Sequence, residues 1–121
     1  MPSGLRYTGW GEPEIPKITR GADVTPEVIH TALKGDSLQT VQGMVSLPAV
    51  QRYVDRLLKG DIAPPIKVDG NVIVEGNHRY VAGKVVGVLP EIGAGTLSPS
   101  NIPRVKPMHE TIVDPTDWGN N

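Results

Sequence analysis

The stretch PPIKVDGNVIVEGNHRYVAGKVVG, residues 64–87, sets two short β-branched runs around Asp69-Gly70 and follows them at once with a helix-like pattern. Asp-Gly between apolar runs favours a type I′ turn, so the two runs are expected to pair as a hairpin. NHRYVAGKVVG then reads as a helix ending at Gly87, with Val81 and Val85 on one face and Val88 just beyond. Where strand gives way to helix stand Glu75, Gly76, Asn77, His78 and Arg79, the best cluster of ionisable groups in the chain.

Working outward, the clearest helix is SLPAVQRYVDRLLKG, with Ser46 placed to cap it, Pro48 in its first turn and Gly60 at its end. Val50, Tyr53, Val54, Leu57 and Leu58 follow the spacing of one buried face. TPEVIHTALKG reads as a shorter helix capped by Thr25 and closed by Gly35, with His30 as a structural mid-helix residue. DSLQTVQGMV is expected to be a short strand running into a loop around Gly43, and VLPEIG a returning strand. Residues 1–24 read as an extended arm whose Tyr7 and Trp10 dock on the body. Residues 95–121 read as a Pro-rich tail of coil with one strand, HETIV. These elements make a single α+β domain over residues 1–121: a small mixed sheet against two or three helices, its motif-bearing core at 38–92.

Composition bounds the function. Twelve prolines and fourteen glycines in 121 residues point to much ordered loop, and the lack of phenylalanine to a modest core of Val, Ile and Leu. A net charge of −1 gives no electrostatic footprint for DNA, so any nucleic-acid role rests on a local cluster. Without cysteine there is no disulfide, thiolate metal site or cysteine nucleophile. No apolar run approaches the roughly 18–20 residues that span a bilayer, so no membrane partner is expected. MPSGLRYTGWGEPEIPK lacks the pattern of a signal peptide, and its opening is compatible with a domain cut from a longer chain.

The chemistry of the junction follows from helix physics. The first turn of a helix has backbone N–H groups without intrahelical partners and the positive end of the dipole, which together suit phosphate. Gly76 lets the backbone approach closely, Asn77 can cap the helix, and Arg79 can grip phosphate oxygens through two donors. His78 can donate a hydrogen bond or move a proton, and Glu75 can act as a base or hold a divalent cation, Mg²⁺ being the expected one. Taken singly, each has an ordinary reading: an N-cap, a surface cation, an acid complementing a helix start. Elsewhere Gln42 can face a ligand, and His109 with Glu110 can join the site across the fold. Asp114 and Asp117 in DPTDWG suit either metal or, more simply, a turn around Pro115.

APPIKVDGNVIVEGNHRYVAGKVVGV resembles the ParB/sulfiredoxin-like fold, in which a helix, a PP-I-x-V strand, a DG hairpin and a G-x-[HR]-R turn succeed one another. The resemblance covers residues 38–92. It implies nucleotide-phosphate contacts for Gly76, His78 and Arg79, since the family includes CTP-binding partition proteins, ATP-using sulfiredoxins, a serine kinase and ParB-like nucleases. Asn77 stands where sulfiredoxins carry their catalytic cysteine, which excludes sulfinic-acid reduction. It also stands where ParB proteins carry glutamate, so ParB-type CTP hydrolysis does not follow, and Glu75 is the remaining acid. The IVEGNHRY setting with the DPTDWG tail is also similar to toxin domains that bacteria deliver into competitors and that an immunity protein neutralises.

The expectation is therefore a phosphoryl-directed enzyme: a metal-dependent nuclease or nucleotide-hydrolysing toxin domain, secreted or delivered into the cytoplasm of a target bacterium. Glu75, His78 and Arg79 would be its catalytic residues, Gly76 to Arg79 its phosphate contacts and Glu75 its metal ligand. The alternatives are a cytoplasmic, non-catalytic module that binds CTP or ATP as a switch, and a small-molecule kinase of the same fold.

Overall fold

The hairpin forms around a two-residue loop, Gly70 and Asn71, with Asp69 opposite Val72. The structure, a computed structural model, describes residues 17–119, so the expected docking of Tyr7 and Trp10 lies outside the described residues. Positive φ in the turn is confined to Gly70 (62°), and no non-glycine residue among those described has it. A type I′ turn needs positive φ at both central residues. Only the first has it here, as in type II′, because the glycine leads the loop instead of closing it.

The hairpin strands, β3 (Ile66–Asp69) and β4 (Val72–Glu75), belong to a five-stranded mixed sheet. Its other strands are β1 (Gln39–Thr40), β5 (Ile92–Ala94) and β6 (Lys106–Pro107), in the order β5-β3-β4-β1-β6. β4 is central, antiparallel to β3 and parallel to β1. β2 (Met44–Ser46) pairs separately, in parallel, with β7 (Ile112–Asp114). The tail thus supplies two strands where one was expected. HETIV itself divides into a 3₁₀ turn at Met108–Glu110 and the strand β7. Proline in β6 is tolerated because that strand is a sheet edge, where one side of the ladder needs no donor.

The helices are α1 (Pro26–Leu33), α2 (Leu47–Leu58) and α3 (Asn77–Val86). Thr25 and Ser46 cap the first two as their sequences indicate, accepting from the N–H groups of Val28 (3.2 Å) and Ala49 (3.4 Å). α2 buries Ala49, Val50, Val54 and Leu57, but Leu58 is 42% exposed. Eight residues on from Val50 the helix has turned about 80° past the buried stripe, which carries Leu58 off the core. Val88 is likewise exposed, whereas Val24, inside the expected arm, is a core residue. Both chain ends of the described region therefore contribute to one core, which runs from Val24 to Met108.

α3 is the centre of this architecture. It packs against α1 and α2 and touches β2 and β3, and Asn77, His78, Tyr80, Val81, Ala82, Gly83 and Val85 are all buried. Tyr80 donates to Asp36 Oδ2 (2.6 Å), and Lys84 Nζ lies 3.7 Å from the same atom, tying α3 to the chain entering β1. Burial together with the Asp36 carboxylate pushes the Tyr80 phenol up. These contacts position α3 and, with it, its first turn.

Candidate functional site

β1 and β4 are parallel neighbours, so their carboxyl ends lie side by side. In open α/β sheets ligands bind in such crevices. Here the crevice contains the motif: a cleft of about 220 Å³ is lined by Gln42, Tyr53, Glu75, Gly76, Asn77, His78 and Arg79. All five residues singled out at the strand-to-helix junction line it, and so does Gln42.

Gly76 makes the turn possible. Its φ of 98° and ψ of 28° are left-handed, and a Cβ there would stand 2.7 Å from Ile66 Cγ2 and 2.8 Å from Arg79 Nη2. Because Gly76 is the boundary residue, Asn77 falls inside the helix and does not cap it, contrary to the sequence reading. Its side chain turns inward: Oδ1 accepts from Thr40 Oγ1 (2.6 Å) and Nδ2 donates to Gln42 Oε1 (3.4 Å). Among the described residues no side chain caps α3, and its first backbone bond runs from Tyr80 N–H to the Gly76 carbonyl (3.0 Å). The N–H groups of Asn77, His78 and Arg79 precede that bond and have no intrahelical partner.

His78 is 5% exposed. Its Nε2 accepts from the Ser46 N–H at 2.9 Å, and the Trp118 ring meets it edge to face, with centroids 5.3 Å apart. Burial first, and the nearby Arg52 charge second, lower its pKa to about 4. The ring is therefore neutral at pH 7, and because Nε2 is an acceptor its proton sits on Nδ1.

Arg79 is oriented by the chain before β3. Its Nε donates to the Pro64 carbonyl (3.1 Å) and its Nη2 to the Pro65 carbonyl (2.9 Å). The two prolines have no use for these carbonyls in the sheet, and the guanidinium they hold lies over Gly76. No carboxylate among the described residues pairs with it. Glu75 pairs across the hairpin with Lys67 at 3.5 Å, both side chains more than half exposed. Such a pair is worth about 0–1 kcal/mol, so Glu75 is readily released to another cation.

Other candidates fall elsewhere. His30, expected to be structural, is exposed on α1. His109 and Glu110 are exposed on a 3₁₀ turn and do not line the cleft. Asp114 forms the turn around Pro115, accepting from Thr116 N–H (2.9 Å) and Trp118 Nε1 (2.8 Å), while Asp117 binds Arg52 (2.8 Å). These bonds hold both carboxyls below the usual range. Among the described residues no three His, Asp or Glu side chains are grouped to hold a metal ion.

Sequence reasoning missed Thr40, Tyr53 as a cleft wall, the Ser46 N–H and Trp118. Thr40 and Gln42 sit two residues apart before Gly43, a polar pattern just after a strand that could have marked them. Compared with protein-family models, with curated proteins and with solved structures, the chain matches none.

Proposed function

We propose that this chain binds the phosphate groups of a nucleotide in the cleft at the start of α3, as a domain of the ParB/sulfiredoxin-like kind. One observation carries the reading: three backbone N–H groups, uncapped among the described residues, share a cleft with a guanidinium that is pre-oriented and has no acidic partner among those residues. Nitrogen donors fixed before the ligand arrives are what an anion needs, because no side-chain ordering is left to oppose binding. The volume supports the same view. About 220 Å³ is below the roughly 300–1,000 Å³ of sites that enclose a whole small molecule, so the cleft suits phosphates and leaves the rest of the ligand outside. Tyr53 also borders a second cleft of about 430 Å³, walled by Ile62, Ala63 and Pro64, with room for a sugar and base.

In this reading the N–H groups of residues 77–79 and the free Nη1 of Arg79 donate to phosphate oxygens, and His78 offers Nδ1–H. Neutral to about pH 4, His78 is a fixed donor and not a source of an imidazolium proton. That favours recognition over acid catalysis. Calorimetry with ATP, CTP and inorganic pyrophosphate tests it: binding should be weakened at least about tenfold by Arg79→Ala, the value of one lost charge-assisted hydrogen bond. No binding of any of the three at millimolar concentration would refute it.

Glu75 favours a second reading, the delivered nuclease or nucleotide-hydrolysing toxin. Among the described residues it is the one carboxylate lining the cleft. Mg²⁺ is commonly held by one or two carboxylates plus substrate phosphates, so this donor set fits an ion shared with the ligand and not one caged by the protein. When bound, such an ion would polarise the phosphate. Glu75 would hold it, and Arg79 with the helix N-terminus would balance the developing charge. Metal-dependent cleavage of an oligonucleotide or of ATP, together with arrest of bacteria producing the protein, both lost in Glu75→Gln, would establish this reading. Normal growth at high soluble expression would remove it, and with it the expectation of an immunity partner.

A further inference from the structure

The segment Asp114–Gly119 packs on the cleft residue His78 through Trp118, and it is held there by contacts that imitate a bound anion. Arg52, close enough to the cleft-lining His78 for its charge to be felt there, donates from Nη1 to the Asp117 carboxylate (2.8 Å) and from Nη2 to the Gly119 carbonyl. Two oxygens on one guanidinium is the pattern by which Arg grips a phosphate. The segment then places Trp118 on His78, and Ser46 Oγ stitches it down, donating to the Thr116 carbonyl (2.8 Å) and accepting from Trp118 N–H (3.3 Å). Ser46 is also the residue whose N–H orients His78. The clasp and the floor of the cleft therefore share one residue and one ring contact.

We infer that this clasp is an internal competitor: Asp117 and Gly119 occupy Arg52 in place of ligand oxygens, and displacing them frees Arg52 as a second guanidinium of the anion site. The inference rests on the phosphate reading of the cleft. The clasp is placed to open. Arg52 and Asp117 are 43% and 52% exposed, and an ion pair so exposed biases an equilibrium by no more than about fivefold. A ligand bringing two or more phosphates replaces one carboxylate with a larger charge on the same fork, while Trp118, 37% exposed and at the edge of the fold, swings away from His78. Recognition of a polyphosphate and release of the C-terminal segment are then one event.

Calorimetry with inorganic pyrophosphate tests this on the full chain, on Asp117→Asn and on a chain ending at Pro115, each with and without Arg52→Ala. Asp117→Asn should tighten binding about three- to fivefold and truncation roughly tenfold. Arg52→Ala should cancel both gains, bringing all three proteins to one common affinity no tighter than that of the full chain. Unchanged or weakened binding in Asp117→Asn overturns the inference even if the truncated chain does not fold. So does a gain that survives Arg52→Ala. If pyrophosphate binds in an Arg79-dependent way but is indifferent to the clasp, only this inference fails. If it binds none of these proteins, the phosphate reading fails as well.

Discussion

The two halves of one turn behave as different materials. Asn77 and His78 point inward, are buried, and spend their side chains on Thr40, Gln42 and Ser46. Glu75 and Arg79, on either side of them, face outward with one weak ion pair and two carbonyl contacts between them. A contiguous cluster of polar and ionisable residues is thus half framework and half surface. The inner half fixes the backbone whose N–H groups would meet the proposed phosphate, and the outer half supplies charge. Listing the four as equivalent site residues hides that division.

The comparison breaks most visibly at the hinge between the halves. Gly76→Ala places a Cβ against Ile66 in a left-handed backbone and should cost about 2–5 kcal/mol in urea unfolding. A variant that unfolds with wild type would mean the turn is not strained into place. Next, Asn77→Ala leaves the buried Thr40 hydroxyl without its acceptor and should cost about 1–3 kcal/mol. A loss below about 0.5 kcal/mol would move Asn77 out of the framework.

How much of this was legible in the sequence follows the same division. The outer half was readable because charge, glycine and helix start are local signals. The caps at Thr25 and Ser46 were local too, as was the apolar face of α2 up to its last turn. The inner half was not readable, because it depends on which strand neighbours β4. Nothing in LQTVQG states that β1 lies parallel to β4 and brings Thr40 and Gln42 to Asn77. For the same reason Asn77 reads as a cap in isolation, and DPTDWG gives no sign that its tryptophan covers a histidine forty residues away in sequence.

A smaller effect comes from proton linkage at His78. Its pKa is about 4 when folded against 6.5 when free, so on acidification the unfolded chain takes the proton first. Its contribution is fully present above pH 6.5 and is lost as pH falls toward 4, on the order of 1 kcal/mol between pH 7 and 5.5. His78→Gln should remove that part of the acid sensitivity. Identical pH profiles for the two proteins would mean that His78 is solvated. The smallest effect belongs to the outer half: Glu75→Gln should shift stability by less than about 0.5 kcal/mol, since its partner Lys67 is equally exposed.

The central claim is that the open N–H groups of α3 receive phosphate. Amide chemical-shift mapping by NMR during a titration with inorganic pyrophosphate addresses it most directly. The account predicts that the largest shifts fall on the N–H signals of Asn77, His78 and Arg79, with the Arg79 side-chain Nη signals following at the same midpoint. Saturable shifts centred elsewhere, with these three amides unmoved, would contradict it.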